Sequence, residues 1–244
     1  MKLAEEVLQA HGGGQLWRNM SRFSAHVSIG GALLAPPDGQ APPGMPHARP
    51  IPHELVMEGE TNRPFIRMFR SSDYDRYAIY TPGRTEFRDM SGRLIEAQDD
   101  PLAAMEKKRA IVPSLCPLDR VFLYGALVWS AIVGPFVLEC GGQSEEEPSQ
   151  ARSGFRRLRI ESPKSLDPVA PVRRFLIDDL GFARRADYAL PSLFRGPATD
   201  TLSAYGIFDG IAVPTLRRLQ ALSPDGTIEA TPLIDIEIFD VRFV

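Results

Sequence analysis

Arginines stand in pairs at 156/157, 173/174, 184/185 and 217/218, each pair inside a stretch patterned as a β-strand. Neighbours on a strand point to opposite faces, so one member of each pair is directed toward the core side. Two arrangements are open. Both guanidiniums can reach water while their aliphatic stems cover the sheet, or the inward members can ring a cavity mouth and grip an anionic head group. Asp235 and Glu237 alternate with Ile234, Ile236 and Ile238, which puts both carboxylates on one polar strand face. General acid–base work needs groups whose pKa is shifted by their surroundings, and a solvated face is the simpler account.

The remaining candidates for chemistry are sparse. His11-Gly12-Gly13-Gly14 matches an oxyanion-hole motif superficially, but the G-x-S-x-G elbow that motif requires does not occur. The glycines read instead as the stop of a short amphipathic helix carrying Leu3, Val7 and Leu8. His26 falls on the polar face of a strand, and His47 and His53 fall in proline-rich sequence, as exposed loop residues. H-E-x-x-H, C-x-x-C and the glycine-rich nucleotide loops are absent. We therefore expect no metal and no cofactor, and nothing argues for catalysis.

An aromatic stripe is the stronger signal. Val121 to Leu138 is the one long stretch without a charged residue, and within it Phe122, Trp129 and Phe136 recur every seven residues. That interval is close to two helical turns, so the three rings share a face. Tyr77, Tyr188, Tyr205 and Phe208 lie on strands that could oppose it. These seven residues are the candidate ligand-binding set. They line a pocket if helix and sheet close incompletely, and form plain core if they close fully.

Eighteen apolar residues reach the lower limit for a membrane span. Gly125, Ser130 and Gly134-Pro135 interrupt the stretch, and acids rather than a basic cluster follow it at Glu139 and Glu145–Glu147. We read it as a core helix over 118–138, with Asp119 in its first turn and Pro135 kinking or ending it. Cys116 and Cys140 at its two ends would then be roughly 30 Å apart, too far for a disulfide. Free thiols suit a reducing compartment.

Around this helix the pattern is that of strands. Phe23, Ala25, Val27 and Ile29 alternate with polar residues, and residues 35–52 hold seven of the 22 prolines, as a loop. Strand-like runs follow at 54–60, 65–69, 76–81, 85–89 and 93–97, separated by turns too short for crossover helices, so they form an antiparallel meander. Asp99-Asp100-Pro101 starts a helix over 102–109. Gly141–Gly154 reads as a polar loop, and strands resume at 155–161, 172–178, 182–188, 203–208, 213–222 and 234–244. The Asp178–Gly181 and Ser223–Gly226 turns end in the glycine that hairpins favour. The expected organisation is a single domain over 1–244, with a sheet from 20–97 and 155–244 and a helical insert at 101–140.

Three segments carry a family likeness. Phe175–Tyr188, with Asp178-Asp179-Leu180-Gly181 at its turn, resembles a strand–turn–strand unit of bacterial lipoprotein-carrier-like proteins. Tyr205–Thr215, with Asp209-Gly210 and Pro214, is similar to the strand pair that follows in them. Ala10-His11-Gly12-Gly13 before Trp17 resembles the opening of their lipoprotein-sorting relatives. The resemblance implies a mainly antiparallel, strongly curved, incomplete β-barrel with helices, chiefly 118–138, packed in its concave face. It further implies an apolar cavity for lipid or acyl chains.

Composition sets the outer bounds. With 43% hydrophobic and 24% charged residues the chain can bury a full core, and its net charge of −3 leaves no nucleic-acid footprint. Arginine outnumbers lysine 24 to 4, usage that hints at a GC-rich bacterial genome. Glu5 and Glu6 stand where a secretory leader would be apolar, so the chain as it stands reads as cytoplasmic, or periplasmic if a leader has been removed. Three functions remain: a non-catalytic binding protein for a hydrophobic small molecule or lipid, a structural module with a filled core, and a hydrolase of unknown substrate.

Overall fold

The computed structural model describes residues 2–34, 52–70, 75–109, 115–148, 154–189, 197–223 and 225–244. Most of the proline-rich stretch, with His47, lies outside them. Short helices α1 (Leu3–Ala10) and α2 (Gly14–Trp17) precede β1 (Arg22–Gly30), β2 (His53–Glu60), β3 (Ile66–Arg70), β4 (Arg76–Thr81), β5 (Arg84–Asp89) and β6 (Leu94–Asp99). Helices α3 (Pro101–Arg109) and α4 (Pro117–Val133) come next. Then follow β7 (Gln143–Glu147), β8 (Arg156–Glu161), β9 (Val172–Ile177), β10 (Ala183–Ala189), β11 (Pro197–Phe208), β12 (Ile211–Ala221) and β13 (Ile234–Phe243).

All thirteen strands form one sheet in the order β6-β5-β4-β3-β2-β1-β13-β12-β11-β10-β9-β8-β7. Each neighbouring pair is antiparallel, and the two meanders are joined by β1 against β13. The sheet edges, β6 and β7, flank the helical insert in sequence. The chain therefore travels from one edge to the other through α3 and α4, and the sheet, which does not close into a barrel, curves around them. This is the expected curved incomplete barrel.

Alternation sets which face each strand buries. Phe23, Ala25, Val27 and Ile29 of β1 are buried, while Ser24 and His26 are exposed. On β13, Ile234, Ile236 and Ile238 point inward with Asp235 and Glu237 between them. A bulge opposite His26 and Val27 inserts the exposed Phe239, after which Val241 and Phe243 recover the inner face.

Helix α4 fills the groove, with 14 of its 17 residues buried. Its start is capped as the sequence implies: Pro117 occupies the first turn, and the Asp119 carboxylate accepts from the Cys116 backbone N–H at 3.0 Å. Its approach to the sheet needs a glycine, because a Cβ on Gly125 would lie 2.1 Å from Tyr80 Cγ. The helix is shorter than the expected 118–138. It ends at Val133 because Gly134 takes φ +48° and Pro135 has no N–H to continue the ladder, and a 3-10 segment runs on from Gly134 to Cys140. Phe136 thus leaves the helical stripe and stacks on Trp17 at 4.3 Å.

A second correction concerns Gly141–Gly154, which is not all loop. Gln143–Glu147 pairs with β8 as an edge strand, and its acids face cations there: Glu146 accepts from Arg156 and Glu147 from Arg174, each at 3.0 Å. An acidic run reads as loop in isolation, but an edge strand with one neighbour and a solvated face accommodates it.

Candidate functional site

Two cavities flank α4, one at each end. The C-terminal one, about 50 Å3, lies between Trp129–Val137 and the inner faces of β8 to β12. Most of its wall is apolar, including Val133, Leu158, Ile160, Ile177 and Leu202, but a buried ion network crosses it. Arg217 pairs with Asp200, and Arg173 pairs with Asp167 at 2.8 Å while standing 3.8 Å from Asp200. Tyr188 donates its hydroxyl to Asp200 at 2.7 Å, and the Arg173 guanidinium lies over the Tyr188 ring at 4.7 Å. Arg217 also donates to the Leu127 carbonyl at 2.7 Å and the Ser130 hydroxyl at 3.1 Å, which fastens α4 to the sheet.

Two cations meet two carboxylates here, so the network neutralises itself. Burial alone would lower the pKa of Arg173, yet Asp167, Tyr188 and Asp200 hold it above the ordinary value. The same burial pushes the Tyr188 phenol well above its usual range. The strand pairs 173/174 and 217/218 do split between faces, with Arg173 and Arg217 buried and Arg174 and Arg218 exposed. The inward members are neither solvated nor free to ring a cavity mouth. They are occupied by Asp167, on the β8–β9 connection, and Asp200, on β11, carboxylates the sequence pattern did not single out.

The three segments of the family likeness converge beside this cavity. The His11 ring meets Phe182 at 5.3 Å and Tyr205 at 5.5 Å, both edge-on. Tyr205 donates to the Ala183 carbonyl at 2.6 Å, and Ala212 N–H donates to the His11 carbonyl at 3.0 Å. Gly12, at φ +117°, lies so close to the next hairpin that a Cβ would sit 2.4 Å from the Gly210 carbonyl oxygen. His11 Nδ1 bonds the Val7 carbonyl at 2.8 Å, and burial lowers the imidazole pKa to about 4. His11 is thus more than a helix stop, since its neutral ring packs the corner where α1 meets β10, β11 and β12.

The N-terminal cavity, about 180 Å3, lies between the first two turns of α4 and strands β2 to β5. Leu55, Met68, Ala78, Phe87 and Val121 give it an apolar floor, and Arg70, Arg76 and Arg120 line it as well. The Tyr124 hydroxyl lies 2.8 Å from His53 Nδ1, and burial pushes that phenol up to about 12. His53 is therefore part of β2 and faces the groove, in place of the exposed loop position the prolines implied. A third hollow, about 440 Å3, sits on the outer face by Asp235 and Glu237, bordered by Gly30, Ala32 and Pro52.

The aromatic set is distributed between these places. Trp129 and Tyr205 line the first cavity and Tyr77 the second, whereas Phe122, Phe136, Tyr188 and Phe208 line neither. Phe122 packs against Tyr80 at 5.8 Å, and Trp129 Nε1–H donates to the Glu60 carbonyl at 2.9 Å. Tyr77 stacks on Phe69 at 5.7 Å, and Phe208 lies half-buried at the β11–β12 turn. Among the described residues no group of three or more His, Cys, Asp or Glu side chains is placed to hold a metal ion.

No protein-family model matches the sequence, and no curated protein matches it. Solved structures do share the fold. A LolA superfamily protein from Nitrosomonas europaea superposes with a TM-score of 0.56 at 10% identity, over 99% of this chain and 93% of that one. A DUF1329 family protein from Desulfovibrio piger gives 0.53 at 9% identity, over 99% and 91%. The chain has a LolA-like fold. At such identity the likeness shows the fold alone.

Proposed function

We propose that this chain is a non-catalytic binding protein that holds a hydrophobic small molecule, lipid or acyl chain between α4 and the concave sheet. The observation that carries the reading is the way α4 is held. It is an apolar helix seated in a groove by side-chain bonds from Arg217, Trp129 and Tyr124, with a cavity at each end. The LolA-like fold supports a hydrophobic ligand, and of the two compartments open to the chain it favours the periplasm.

Ligand sites for drug-sized molecules measure about 300–1,000 Å3, and each cavity beside α4 is smaller. A short ligand fits as the groove stands, whereas a long acyl chain requires α4 to move away from the sheet. In this reading Phe122 and Trp129 form the helix-side wall that moves, and Phe136, on the 3-10 segment beyond it, closes the end of the groove against Trp17. Tyr77, Tyr188, Tyr205 and Phe208 belong to the sheet side that stays. The small volume beside Trp129 favours a second reading, a structural or interaction module whose groove α4 simply fills.

Extraction of the purified protein for mass spectrometry, with titration of a fluorescent fatty acid, separates the two. Co-purifying lipid and saturable probe binding are expected. Repeated absence of both sinks the binding reading and leaves the structural one.

A further inference from the structure

The N-terminal cavity differs from an ordinary apolar gap in its charge. Arg70, Arg76 and Arg120 all line it, and among the described residues no Asp or Glu does. Among the described residues neither Arg70 nor Arg120 has an ion-pair partner, whereas every buried guanidinium of the C-terminal network has one. Arg120 Nε, like Arg217 Nε at the other end, has no hydrogen-bond partner among the described residues. Arg76 is steered to the same space by Phe87, whose ring lies 5.1 Å from its guanidinium. Below the cations the walls are Leu55, Met68, Ala78 and Val121.

We propose that this cavity binds an anionic amphiphile: a carboxylate or phosphate monoester whose charge meets Arg70 and Arg120 and whose short apolar body lies on the floor. Guanidinium forks match both anions bidentately. The size fits as well, since a water takes about 30 Å3 in the liquid and the cavity offers about 180 Å3, room for about six waters or one short chain. The inference rests on the binding-protein reading and adds the ligand's charge class.

Calorimetric titration of the full chain with octanoate, octyl phosphate, octanol and inorganic phosphate tests it. Octanoate and octyl phosphate should bind at least tenfold tighter than octanol, and octyl phosphate at least tenfold tighter than inorganic phosphate. The variant Arg70→Gln/Arg120→Gln should lose at least tenfold in octanoate affinity and leave octanol unchanged. Arg70→Glu, at an exposed position, should weaken octanoate further without touching the fold. Equal affinity for octanoate and octanol, or unchanged octanoate binding in the double variant, overturns the proposal. Inorganic phosphate binding as tightly as octyl phosphate overturns the apolar half of it. Co-purification of neutral lipid without octanoate binding defeats this inference alone, whereas octanoate binding with no co-purifying lipid and no fatty-acid probe signal defeats the long-chain reading alone.

Discussion

The two ends of α4 use the same residue type in opposite ways. At the C-terminal end, Arg173 and Arg217 are buried, paired with Asp167 and Asp200, and bonded onward to Tyr188 and the helix backbone. At the N-terminal end, Arg70 and Arg120 face a larger cavity with no carboxylate among its described lining residues. A buried cation with a carboxylate partner has its charge cancelled inside the fold and serves architecture. A cation beside a cavity with none leaves that charge for something outside the fold to meet. The fastened end therefore fixes α4 in the groove, and the open end is where the molecule has recognition to offer.

The largest effect that separates them is on stability. Arg217→Met leaves Asp200 buried and short of its strongest partner, and breaking such a pair from one side costs about 3–5 kcal/mol. Asp200→Leu should cost a similar amount. The double variant should recover much of the loss, because two apolar side chains leave no orphaned charge. Denaturant midpoints for the single and double variants measure this. If the single changes cost no more than a surface substitution, the network does not fasten the helix.

Next in size is a pH response that His11 adds at the fastened end. The pKa of His11 falls from 6.5 in the unfolded chain to about 4 in the fold. Between those values the unfolded state binds the extra proton, so stability decreases as pH falls from 6.5 toward 4 and levels off below. At about 1.4 kcal/mol per pKa unit the full span is worth about 3 kcal/mol. Unfolding curves at pH 4, 5, 6 and 7 should show this slope, and His11→Gln should flatten it whatever constant offset it introduces. A parallel slope in the variant would assign the acid sensitivity to carboxylates elsewhere.

How much of this was legible follows from which interactions are local. Alternation in 22–30 and 234–243 placed the inner faces of β1 and β13, and turn glycines placed the hairpins, because both signals lie within a few residues. The helix was visible from its lack of charge, and its end at Gly134-Pro135 was foreshadowed by residues that cannot continue a ladder. The acidic strand β7 was missed because its justification is Arg156 and Arg174 on other strands. The site suffered in the same way. The arginine pairs were conspicuous, but Asp200 meets Arg217 only once β11 and β12 are paired, and Asp167 meets Arg173 only through the irregular β8–β9 connection, which carries no periodic pattern. Arg70 and Arg120, fifty residues apart, carry no shared pattern at all. His53 looked like a loop residue because Pro50 and Pro52 precede it, and the strand that begins beside them is set by pairing with β1.

A glycine tests how tightly the open end is closed around the helix. Gly125→Ala should raise intrinsic helix propensity by about 1 kcal/mol. Here the added methyl would stand 2.1 Å from Tyr80 Cγ and 2.5 Å from Tyr80 Cβ, atoms that cannot swing aside. Overpacking of this kind costs about 1–3 kcal/mol, so the net change should be a loss of up to about 2 kcal/mol. A gain would mean that α4 rides away from β4 with little resistance.

The smallest effect carries the sharpest contrast. Arg120→Leu removes a half-buried cation that has no ion-pair partner among the described residues, so its stability should stay the same or rise by up to about 1 kcal/mol, the opposite sign to Arg217→Met. The cost of the wild-type arginine should then reappear as ligand dependence. Octanoate at a hundred times its dissociation constant stabilises a protein that binds it by about 2.7 kcal/mol, and the variant should show a markedly smaller rise in melting temperature at the same concentration. If Arg120→Leu destabilises as strongly as Arg217→Met, Arg120 is architecture too, and the two ends of the helix are alike after all.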